Sequence, residues 1–416
     1  MPTAYVVIGA GYGDEGKGLI TDHLTRHLGT EVVTRFNGGA QAGHTVVAPN
    51  GTRHVFSHVG AGTLAGAATY LSGWFIVNPY LLERELGQLK TKGIDPTIYA
   101  SELARVTTIY DMALNAAAEL ARGSGRHGSC GLGINETATR GDAGFELTLD
   151  SVVRLSRRGL ERVLERIHLE YVPERLKQLG IGVLPDSFHL QTGEVLRNGN
   201  YAEHAARLLY GAHELSIVDR IELADEIALR PVILEGAQGL AIDEELGEFP
   251  HVTRSKTGLP YALPAAADLY ARQLRPIYVT RAYATRHGAG PLPGEGEIIT
   301  ERDLIDQTNV NNEWQGALRY APLDLARLKR DINADMERGL DLATGYGIEI
   351  VDPVLAVTCL DQLGPHVTLF DLDGTKVIVP HRDVTTLIED RLGYKVALTG
   401  FGPTSLNVVQ LAEFGV

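Results

Sequence analysis

The chain has 416 residues, and its 44% hydrophobic and 22% charged residues are typical of a globular protein with a large core. The net charge of −14 argues against nucleic acid or an anionic membrane as the main partner, but a local positive site for phosphates is compatible with it. Two cysteines, Cys130 and Cys359, are too few for a disulfide framework. The sequence shows neither a signal-peptide pattern nor an apolar run of membrane-spanning length, so we expect a cytoplasmic protein.

A glycine-rich stretch near the N-terminus has the pattern of a phosphate-binding loop. Residues 8–19 read I-G-A-G-Y-G-D-E-G-K-G-L, between an apolar run that predicts a strand and a helical pattern. Backbone N–H groups and a helix N-terminus can hold phosphate in this setting. The letters fit G-x-x-x-x-G-K, but Gly18 replaces the usual Ser or Thr. They also fit G-x-G-x-x-G, but the next strand carries Arg35 instead of an acidic residue.

Two carboxylates, Asp14 and Glu15, lie inside this loop. A carboxylate beside a polyphosphate is repelled unless a metal ion bridges the two or the carboxylate acts as a base. A tight turn before an acidic helix N-terminus is the alternative interpretation, because the helix dipole favours Asp and Glu there. Asp14 is therefore more informative about function than the glycines.

Along the chain, short apolar strands alternate with helical patterns, which predicts an α/β fold. We expect one domain over residues 1–416, with a large, mostly parallel central sheet, helices on both faces and a small antiparallel ribbon. Segments 123–144 and 283–294 are predicted to be loops, and 149–229 a helical subdomain. The predicted strands are 4–8, 31–36, 45–48, 54–58, 68–71, 97–100, 230–235, 276–280, 354–360, 367–370, 377–380 and 394–398, and the main helices are 80–92, 106–122 and 384–392.

Polar side chains follow several of these strands, at the sheet edge where ligands bind in open α/β folds. A single histidine in a loop is more often a structural hydrogen-bonding group, but small residues on both sides of His44 would let a ligand approach closely. The polar residues are Asp14, Lys17, Gln41, His44, Gln238, Arg286 and Asp361.

Six ordered motifs in this chain resemble adenylosuccinate synthetase. They are G-D-E-G-K-G, G-G-A-Q-A-G-H-T, E-G-A-Q-G, F-P-H-V-T, R-A-Y-A-T-R-H-G-A-G-P-L-P and V-T-C-L-D, and the resemblance runs from about Tyr5 to Pro403. It implies a P-loop-like GTP-binding fold and a ligase that joins aspartate to IMP while GTP becomes GDP and phosphate. It also implies Mg²⁺, a homodimer, small-molecule substrates and a place in purine biosynthesis.

The resemblance also implies a role for each matching residue. Asp14 matches the catalytic base and magnesium ligand, His44 the catalytic acid, and Gln238 a residue that hydrogen-bonds the purine 6-position. Asp361 matches the carboxylate that reads guanine, and Arg140 an arginine that reaches across a dimer interface. The remaining matches are the Gly43 carbonyl for magnesium; Gly13, Glu15, Gly16, Lys17, Gly18, Thr45, Gly400 and Gly402 for GTP; and Gln41, Ser129, Thr253 and Arg319 for the nucleotide monophosphate and aspartate.

Several positions depart from the family pattern. The family usually has K-G-K where this chain has Lys17-Gly18-Leu19, and G-R-G where it has Gly131-Leu132-Gly133. Cys359 replaces a lysine that usually packs along the guanine. In the aspartate loop, residues 309–324 lack T-T-G-R, and only Arg319 aligns with a carboxylate-binding arginine. The chain end around residues 400–405, G-F-G-P-T-S, is similar to the phage branch that aminates a deoxyguanylate, although that branch usually lacks the loop aspartate.

These departures leave other readings open. The same mechanism could act on GMP or dGMP, use another amino acid, or take ATP as phosphoryl donor. A non-catalytic nucleotide-binding relative is a further alternative, against which Asp14 and His44 argue. An NAD(P)-dependent oxidoreductase is disfavoured, because Asp14 and Glu15 would face the pyrophosphate.

Overall fold

A computed structural model describes residues 3–129, 131–182, 190–218, 231–306, 309 and 316–412. Within these ranges the central feature is an eleven-stranded sheet, and a four-stranded sheet and a hairpin accompany it. The strands are β1 (Thr3–Gly9), β2 (Val32–Arg35), β3 (His44–Val47), β4 (Arg53–Phe56), β5 (Ala68–Leu71), β6 (Ile98–Ser101), β7 (Ser216–Val218), β8 (Val232–Gly239), β9 (Gln273–Arg281), β10 (Tyr283–Arg286), β11 (Arg319–Asp324), β12 (Glu349–Ile350), β13 (Val354–Thr358), β14 (His366–Phe370), β15 (Lys376–Pro380), β16 (Lys395–Gly400) and β17 (Val408–Gln410).

The large sheet has the order β17-β16-β13-β9-β1-β8-β2-β5-β6-β7, with β12 also paired to β9. β16 and β17 pair antiparallel at one edge, and the other pairings are parallel. Because parallel strands share one carboxyl edge, the loops after β1, β2, β8, β9, β13 and β16 meet there. The predicted α/β class with a large, mostly parallel sheet is confirmed.

Helices pack on the two faces of the sheet. In β1, Ala4, Val6 and Ile8 enter one hydrophobic cluster, whereas Tyr5 and Val7 enter another on the opposite face. This alternation is the two-residue period of a strand buried on both faces. The helices are α1 (Lys17–Leu28), α2 (Pro79–Lys90), α3 (Ile109–Arg122), α4 (Ile134–Arg140), α5 (Leu149–Arg154), α6 (Arg157–Arg166), α7 (Val172–Gln178), α8 (Leu190–Asn198), α9 (Tyr201–His213), α10 (Leu259–Asp268), α11 (Leu325–Tyr346) and α12 (Val384–Leu392).

The described part of the predicted helical segment 149–229 contains α5 to α9. Its end differs, because Ser216–Val218 forms β7 and pairs with β6 in the main sheet. Residues 219–230 lie outside the described part of the chain. The helices share one hydrophobic cluster with β5, β6, α2 and α3, so they pack as a layer beside this end of the sheet.

Other predictions of loops were wrong where short elements depend on distant contacts. The predicted loop 123–144 contains α4, since Ile134 and Ala138 pack on Ile76. The predicted loop 283–294 begins with β10, which pairs with β11 inside the expected aspartate loop. The predicted ribbon is β14 and β15, but β11 adds to it and completes a four-stranded sheet.

Some elements were not predicted from the sequence. α10 and α11 were not predicted, and β17 follows the strand predicted to be last. The hairpin of β3 and β4 around Asn50-Gly51 was predicted correctly, and Gly51 has the positive φ of 84° that such a turn needs. None of the helices in the described ranges combines the length and apolar composition that a membrane span requires.

A buried carboxylate on α11 holds the start of α10. Asp335 is fully buried and accepts hydrogen bonds from the Leu259 backbone N–H at 3.0 Å and the Tyr278 hydroxyl at 2.9 Å. The first N–H groups of a helix have no partner within the helix, so a carboxylate from outside can satisfy them. Burial raises the pKa of Asp335 to about 7.

We predict that Asp335→Ala lowers the free energy of unfolding by about 1–3 kcal/mol, because it leaves two buried donors without an acceptor. Urea unfolding followed by circular dichroism measures this change. Asp341→Ala is the matched control, since Asp341 is exposed on the same helix and its loss should cost less than about 0.5 kcal/mol. Equal effects of the two substitutions would contradict the capping role of Asp335.

Candidate active site

A cleft of about 590 Å³ opens at the carboxyl edge of the large sheet. The loop after β1, the hairpin strand β3, the end of β8 and the segments around residues 127–129 and 249–254 form its walls. It brings together eight residues that the sequence predicted from distant motifs: Gly13, Asp14, Gln41, Gly43, His44, Ser129, Gln238 and Thr253.

The loop between β1 and α1 contacts two neighbouring elements through its glycines. Gly16 has a φ of 90° at the start of α1, and a Cβ there would lie 3.3 Å from the Thr358 hydroxyl at the end of β13. A Cβ on Gly18 would lie 3.1 Å from the Cβ of His44. Glycine therefore lets α1 start directly against the strand that carries His44.

Glu15 and Lys17 form an ion pair inside this loop. The Lys17 ammonium donates to the Glu15 carboxylate at 3.0 Å and to the Gly13 carbonyl at 2.8 Å. The same carboxylate accepts from the backbone N–H groups of Gly11 and Gly13, at 3.1 and 2.6 Å. The Glu15 side chain thus faces the loop itself and neutralises the charge of Lys17.

His44 is held from behind by a carboxylate that sequence reasoning did not identify. Its Nδ1 donates to Glu235 at 2.5 Å, and the other carboxylate oxygen accepts from the Ala61 N–H at 2.9 Å. Arg35 lies 3.9 Å from the same carboxylate. Burial lowers the pKa of His44 to about 4, so the imidazole is neutral at neutral pH. Its Nε2 has no hydrogen-bond partner among the described residues, and His44 lines the cleft.

Asp14 lies in the cleft between two side-chain donors. His287 donates from Nδ1 to one carboxylate oxygen at 3.1 Å, and Asn309 donates to the other at 3.3 Å. Burial opposes ionisation, but His287 together with Arg281 and Lys17 holds the pKa of Asp14 below its ordinary value. The carboxylate is therefore ionised at neutral pH, as a base or a metal ligand must be.

Several buried polar atoms in and beside the cleft have no hydrogen-bond partner within the described part of the chain. They include both side-chain polar atoms of Gln41, the Thr45 hydroxyl and the His287 Nε2. Buried polar groups are almost always hydrogen-bonded, so such atoms indicate a place for ligand or water. Gln238 has a φ of 66°, which is unusual for a residue with a side chain and is typical of strained positions at functional sites.

Three arginines line the cleft, and their partners differ. Arg122 pairs with Glu119, and Arg254 pairs with Asp142 at 2.7 Å. Arg286 donates instead to the backbone carbonyls of His251 and Pro291, at 3.2 and 2.8 Å. Its charge is not neutralised by a carboxylate from the described residues, which makes the cleft favourable for an anion.

The predicted base-recognition residues lie outside the cleft, on the other side of the phosphate loop. Asp361 is exposed in a helical turn after β13, and Cys359 before it has a φ of 59°. Gly400 ends β16, and a Cβ there would lie 3.4 Å from Thr358. Gly402 follows two residues later, with a φ of 157°. The phosphate loop thus separates two regions, the cleft and the turn that carries Asp361.

The structure does not place two predicted arginines in the cleft. Arg140 is buried, and its guanidinium donates to Asp111 and to the carbonyls of Val106 and Phe145. Arg319 donates to Glu295 at 2.8 Å and to the carbonyls of Gly288 and Gly290 at 2.7 and 2.9 Å. Arg319 therefore fixes the loop that carries His287.

Three residues of the site were missed by sequence reasoning: Glu235, His287 and Asn309. A signal existed for Glu235, because a charged residue inside an otherwise apolar strand needs a buried partner. His287 was visible only as a letter of the R-H-G-A-G loop, and Asn309 as part of a loop without pattern. Their proximity to Asp14 depends on the packing of β9 and β10, which no spacing in the sequence encodes.

Comparison with known proteins identifies a family for this chain. The sequence profile of the adenylosuccinate synthetase family matches residues 6–319. Among named relatives, the adenylosuccinate synthetase of Synechococcus sp. (strain RCC307) is 34% identical over 379 residues, which is 89% of this chain and 80% of that protein. The enzyme of Paraburkholderia phytofirmans is 29% identical over 396 residues, with 89% and 82% covered.

Solved structures share the fold. Fully ligated adenylosuccinate synthetase from Plasmodium falciparum superimposes with a TM-score of 0.71 at 18% identity, covering 98% of this chain and 99% of that one. Succinoaminodeoxyadenylate synthetase of cyanophage S-2L, bound to dGMP and dATP as an energy donor, gives 0.59 at 17% identity, with 99% and 96% covered. The profile match and the sequence identities show that this chain belongs to the adenylosuccinate synthetase family and is a ligase that forms carbon–nitrogen bonds.

Proposed function

We propose that the chain joins L-aspartate to the 6-position of IMP and converts GTP to GDP and phosphate, giving adenylosuccinate. The observation that carries this proposal is the convergence of Asp14, His44 and Gln238 on one cleft beside a phosphate loop. An ionised carboxylate, an imidazole nitrogen without a partner among the described residues and the side-chain amide of Gln238 are suited to a purine whose 6-oxygen must react.

In the first step, the Asp14 carboxylate takes the N1 proton of the hypoxanthine, which makes the 6-oxygen nucleophilic. That oxygen attacks the γ-phosphorus of GTP, the bond to the β-phosphate oxygen breaks, and GDP leaves. In the second step, the aspartate amine attacks C6, the bond from C6 to the phosphorylated oxygen breaks, and inorganic phosphate leaves with the proton that the amine gives up. Gln238, at the end of β8, would hydrogen-bond the purine 6-position during both steps.

His44 would stabilise charge on the transferring phosphoryl group. In the free protein the Nδ1 proton faces Glu235, so Nε2 is an acceptor that faces the cleft. A phosphoryl anion beside Nε2 favours the protonated imidazole and raises its pKa, because an opposite charge stabilises the charged form. Glu235 stays ionised behind the ring, since burial is outweighed by His44 and Arg35, which lower its pKa.

The site fits Mg²⁺. Magnesium prefers oxygen ligands and keeps several waters, and the cleft offers the ionised Asp14 carboxylate and the Gly43 carbonyl. No cluster of three or more His, Cys, Asp or Glu side chains with metal-binding geometry occurs among the described residues, which agrees with an ion held mainly by substrate phosphates and water. When bound, the ion would neutralise charge on the phosphates of the donor nucleotide.

GTP would lie along the phosphate loop, with its base toward the turn after β13. Among the described residues, no side chain caps the backbone N–H groups at the start of α1, and a helix N-terminus of this kind suits the β- and γ-phosphates. Lys17 would move from Glu15 to these phosphates, and Thr45 would supply a hydroxyl. The Asp361 carboxylate can accept from guanine N1–H and the 2-amino group, which adenine does not offer.

Arg286 would bind an anionic group of the monophosphate or of the amino acid. Among the described residues, no carboxylate neutralises its charge. Gln41, Ser129 and Thr253 would hold the monophosphate. Aspartate is the proposed amine donor because the chain belongs to the adenylosuccinate synthetase family. The homodimer also rests on the family alone, because each guanidinium nitrogen of Arg140 already donates within its own chain.

A second candidate is the same chemistry on GMP or dGMP, with ATP or GTP as donor. The segment 400–405 is similar to the phage branch of the family, and the cyanophage enzyme named above was solved with dGMP and dATP. The choice between the candidates is a matter of substrate, because the same cleft residues would act in both.

An end-point assay with mass-spectrometric detection tests the proposal directly. IMP, GMP and dGMP are each combined with GTP or ATP, in the presence of aspartate and Mg²⁺. We expect adenylosuccinate only with IMP and with GTP as the better donor. A succinylated guanine nucleotide would instead support the second candidate. Donor hydrolysis that needs a monophosphate but gives no coupled product would show that another amine replaces aspartate.

We predict that Asp14→Asn lowers kcat by at least about 10²-fold, because an amide cannot take the N1 proton. Calorimetric titration should show that IMP still binds, within about threefold of the unchanged protein, because the other cleft residues remain. Turnover near the original rate would remove Asp14 as the base.

We also predict that Glu235→Gln lowers kcat by at least about tenfold while KM for the nucleotides changes less than about threefold. The glutamine amide can donate to His44 Nδ1 and so shift the ring proton to Nε2, which ¹⁵N NMR of labelled histidine detects. Glu85→Gln is the matched control, because Glu85 is also buried and its carboxylate lies 3.3 Å from the Nδ1 of a histidine, His58, away from the cleft. If both variants lose kcat equally, Glu235 has no specific role in orienting His44.

A further inference from the structure

Arg281 lies at the meeting point of three functional segments. Its side chain is only 7% exposed, at the carboxyl end of β9. Nε donates to the backbone carbonyl of Asp14 at 2.5 Å, one terminal nitrogen donates to the Tyr283 hydroxyl at 3.2 Å, and the other donates to Asp306 at 2.8 Å. One planar guanidinium therefore touches the phosphate loop and two further groups.

The Tyr283 hydroxyl connects Arg281 to the turn that carries Asp361. The Tyr283 hydroxyl donates to the Gln362 side chain at 2.6 Å, and Gln362 is the residue after Asp361 in the same helical turn. A movement of this turn on nucleotide binding would shift the Tyr283 hydroxyl. Because this hydroxyl accepts a hydrogen bond from Arg281, the guanidinium would have to shift as well.

Asp306 connects Arg281 to the Asp14 side chain. Asp306 accepts from the backbone and side-chain amides of Asn309, at 2.9 and 3.1 Å. The Asn309 side chain also donates to the Asp14 carboxylate at 3.3 Å. Arg281 thus contacts Asp14 directly through the main chain and indirectly through Asp306 and Asn309.

We propose that Arg281 is a positioning residue that couples the donor-nucleotide turn to Asp14, so that the donor and acceptor nucleotides bind cooperatively. The proposal rests on the function proposed above, because it assigns the donor to the Asp361 side and the acceptor to the cleft. The physical reason is the fixed fork of the guanidinium, which cannot follow one acceptor without turning its other N–H groups. A purely structural arginine would contribute to stability but would leave the two binding equilibria independent.

Binding without turnover tests this coupling. Calorimetric titration measures the Kd of IMP with Mg²⁺ alone and again with saturating GDP, in the unchanged protein and in Arg281→Lys. We expect GDP to tighten IMP binding at least about fivefold in the unchanged protein. In Arg281→Lys we expect a ratio near one, with each nucleotide alone binding within about threefold of the original affinity, because lysine keeps the charge but not the fork.

Arg275→Lys is the matched control, since it makes the same change on the same strand away from Asp14. It should keep the full GDP effect. If Arg281→Lys does not fold, Tyr283→Phe tests the same link, because it removes the hydroxyl between Arg281 and Gln362 and should also abolish the GDP effect.

A GDP effect that persists in Arg281→Lys or in Tyr283→Phe would overturn the proposal, as would independent binding of the two nucleotides in the unchanged protein. Failure of the underlying function has a different signature. Neither IMP, GMP nor dGMP would then bind to the unchanged protein, with or without GDP.

Discussion

The conformation of the phosphate loop depends on the Glu15 carboxylate. This group is buried, which is favourable only because the backbone N–H groups of Gly11 and Gly13 and the ammonium of Lys17 all donate to it. Thr358 adds a bond to the Glu15 carbonyl at 2.6 Å. With Glu15 turned inward, the adjacent Asp14 faces the cleft. Two neighbouring carboxylates thus have opposite tasks: one shapes the loop, and the other is free to act on a ligand.

The position of each proposed catalytic group follows from a strand that contacts this loop. β9 supplies Arg281 to the Asp14 carbonyl, β13 supplies Thr358 to Gly16, and β3 brings His44 against Gly18. β8 completes the arrangement, because its internal Glu235 orients His44 and its end carries Gln238. The ends of β8, β9 and β13 lie at one edge of the parallel sheet, and the separate β3–β4 hairpin contacts the start of α1 through His44, so groups that are far apart in the sequence have fixed relative positions. The functional loops need little internal structure of their own.

The sequence predicted what local patterns encode. Apolar runs predicted the central strands, and motifs predicted eight residues that the cleft unites. Local patterns failed for α4, β10 and β11, whose stability comes from partners distant in sequence, such as Ile76 for α4. The same limit applies to side chains. A motif position can predict that an arginine is present, but not that Arg140 satisfies its donors within its own chain or that Arg319 ties down the loop before it.

The electrostatics of the cleft determine when His44, the proposed acid, can be protonated. Burial keeps His44 neutral in the free protein, with a pKa of about 4, even though Glu235 stands behind it. An anion placed at Nε2 would raise that pKa, because an opposite charge favours the protonated ring. In a chain with a net charge of −14, such an anion would have to be held locally, and the proposed groups are the α1 N-terminus, Lys17 and Arg286. His44 would therefore become an acid only when the phosphoryl donor is bound, which ties its protonation to the presence of the group it acts on.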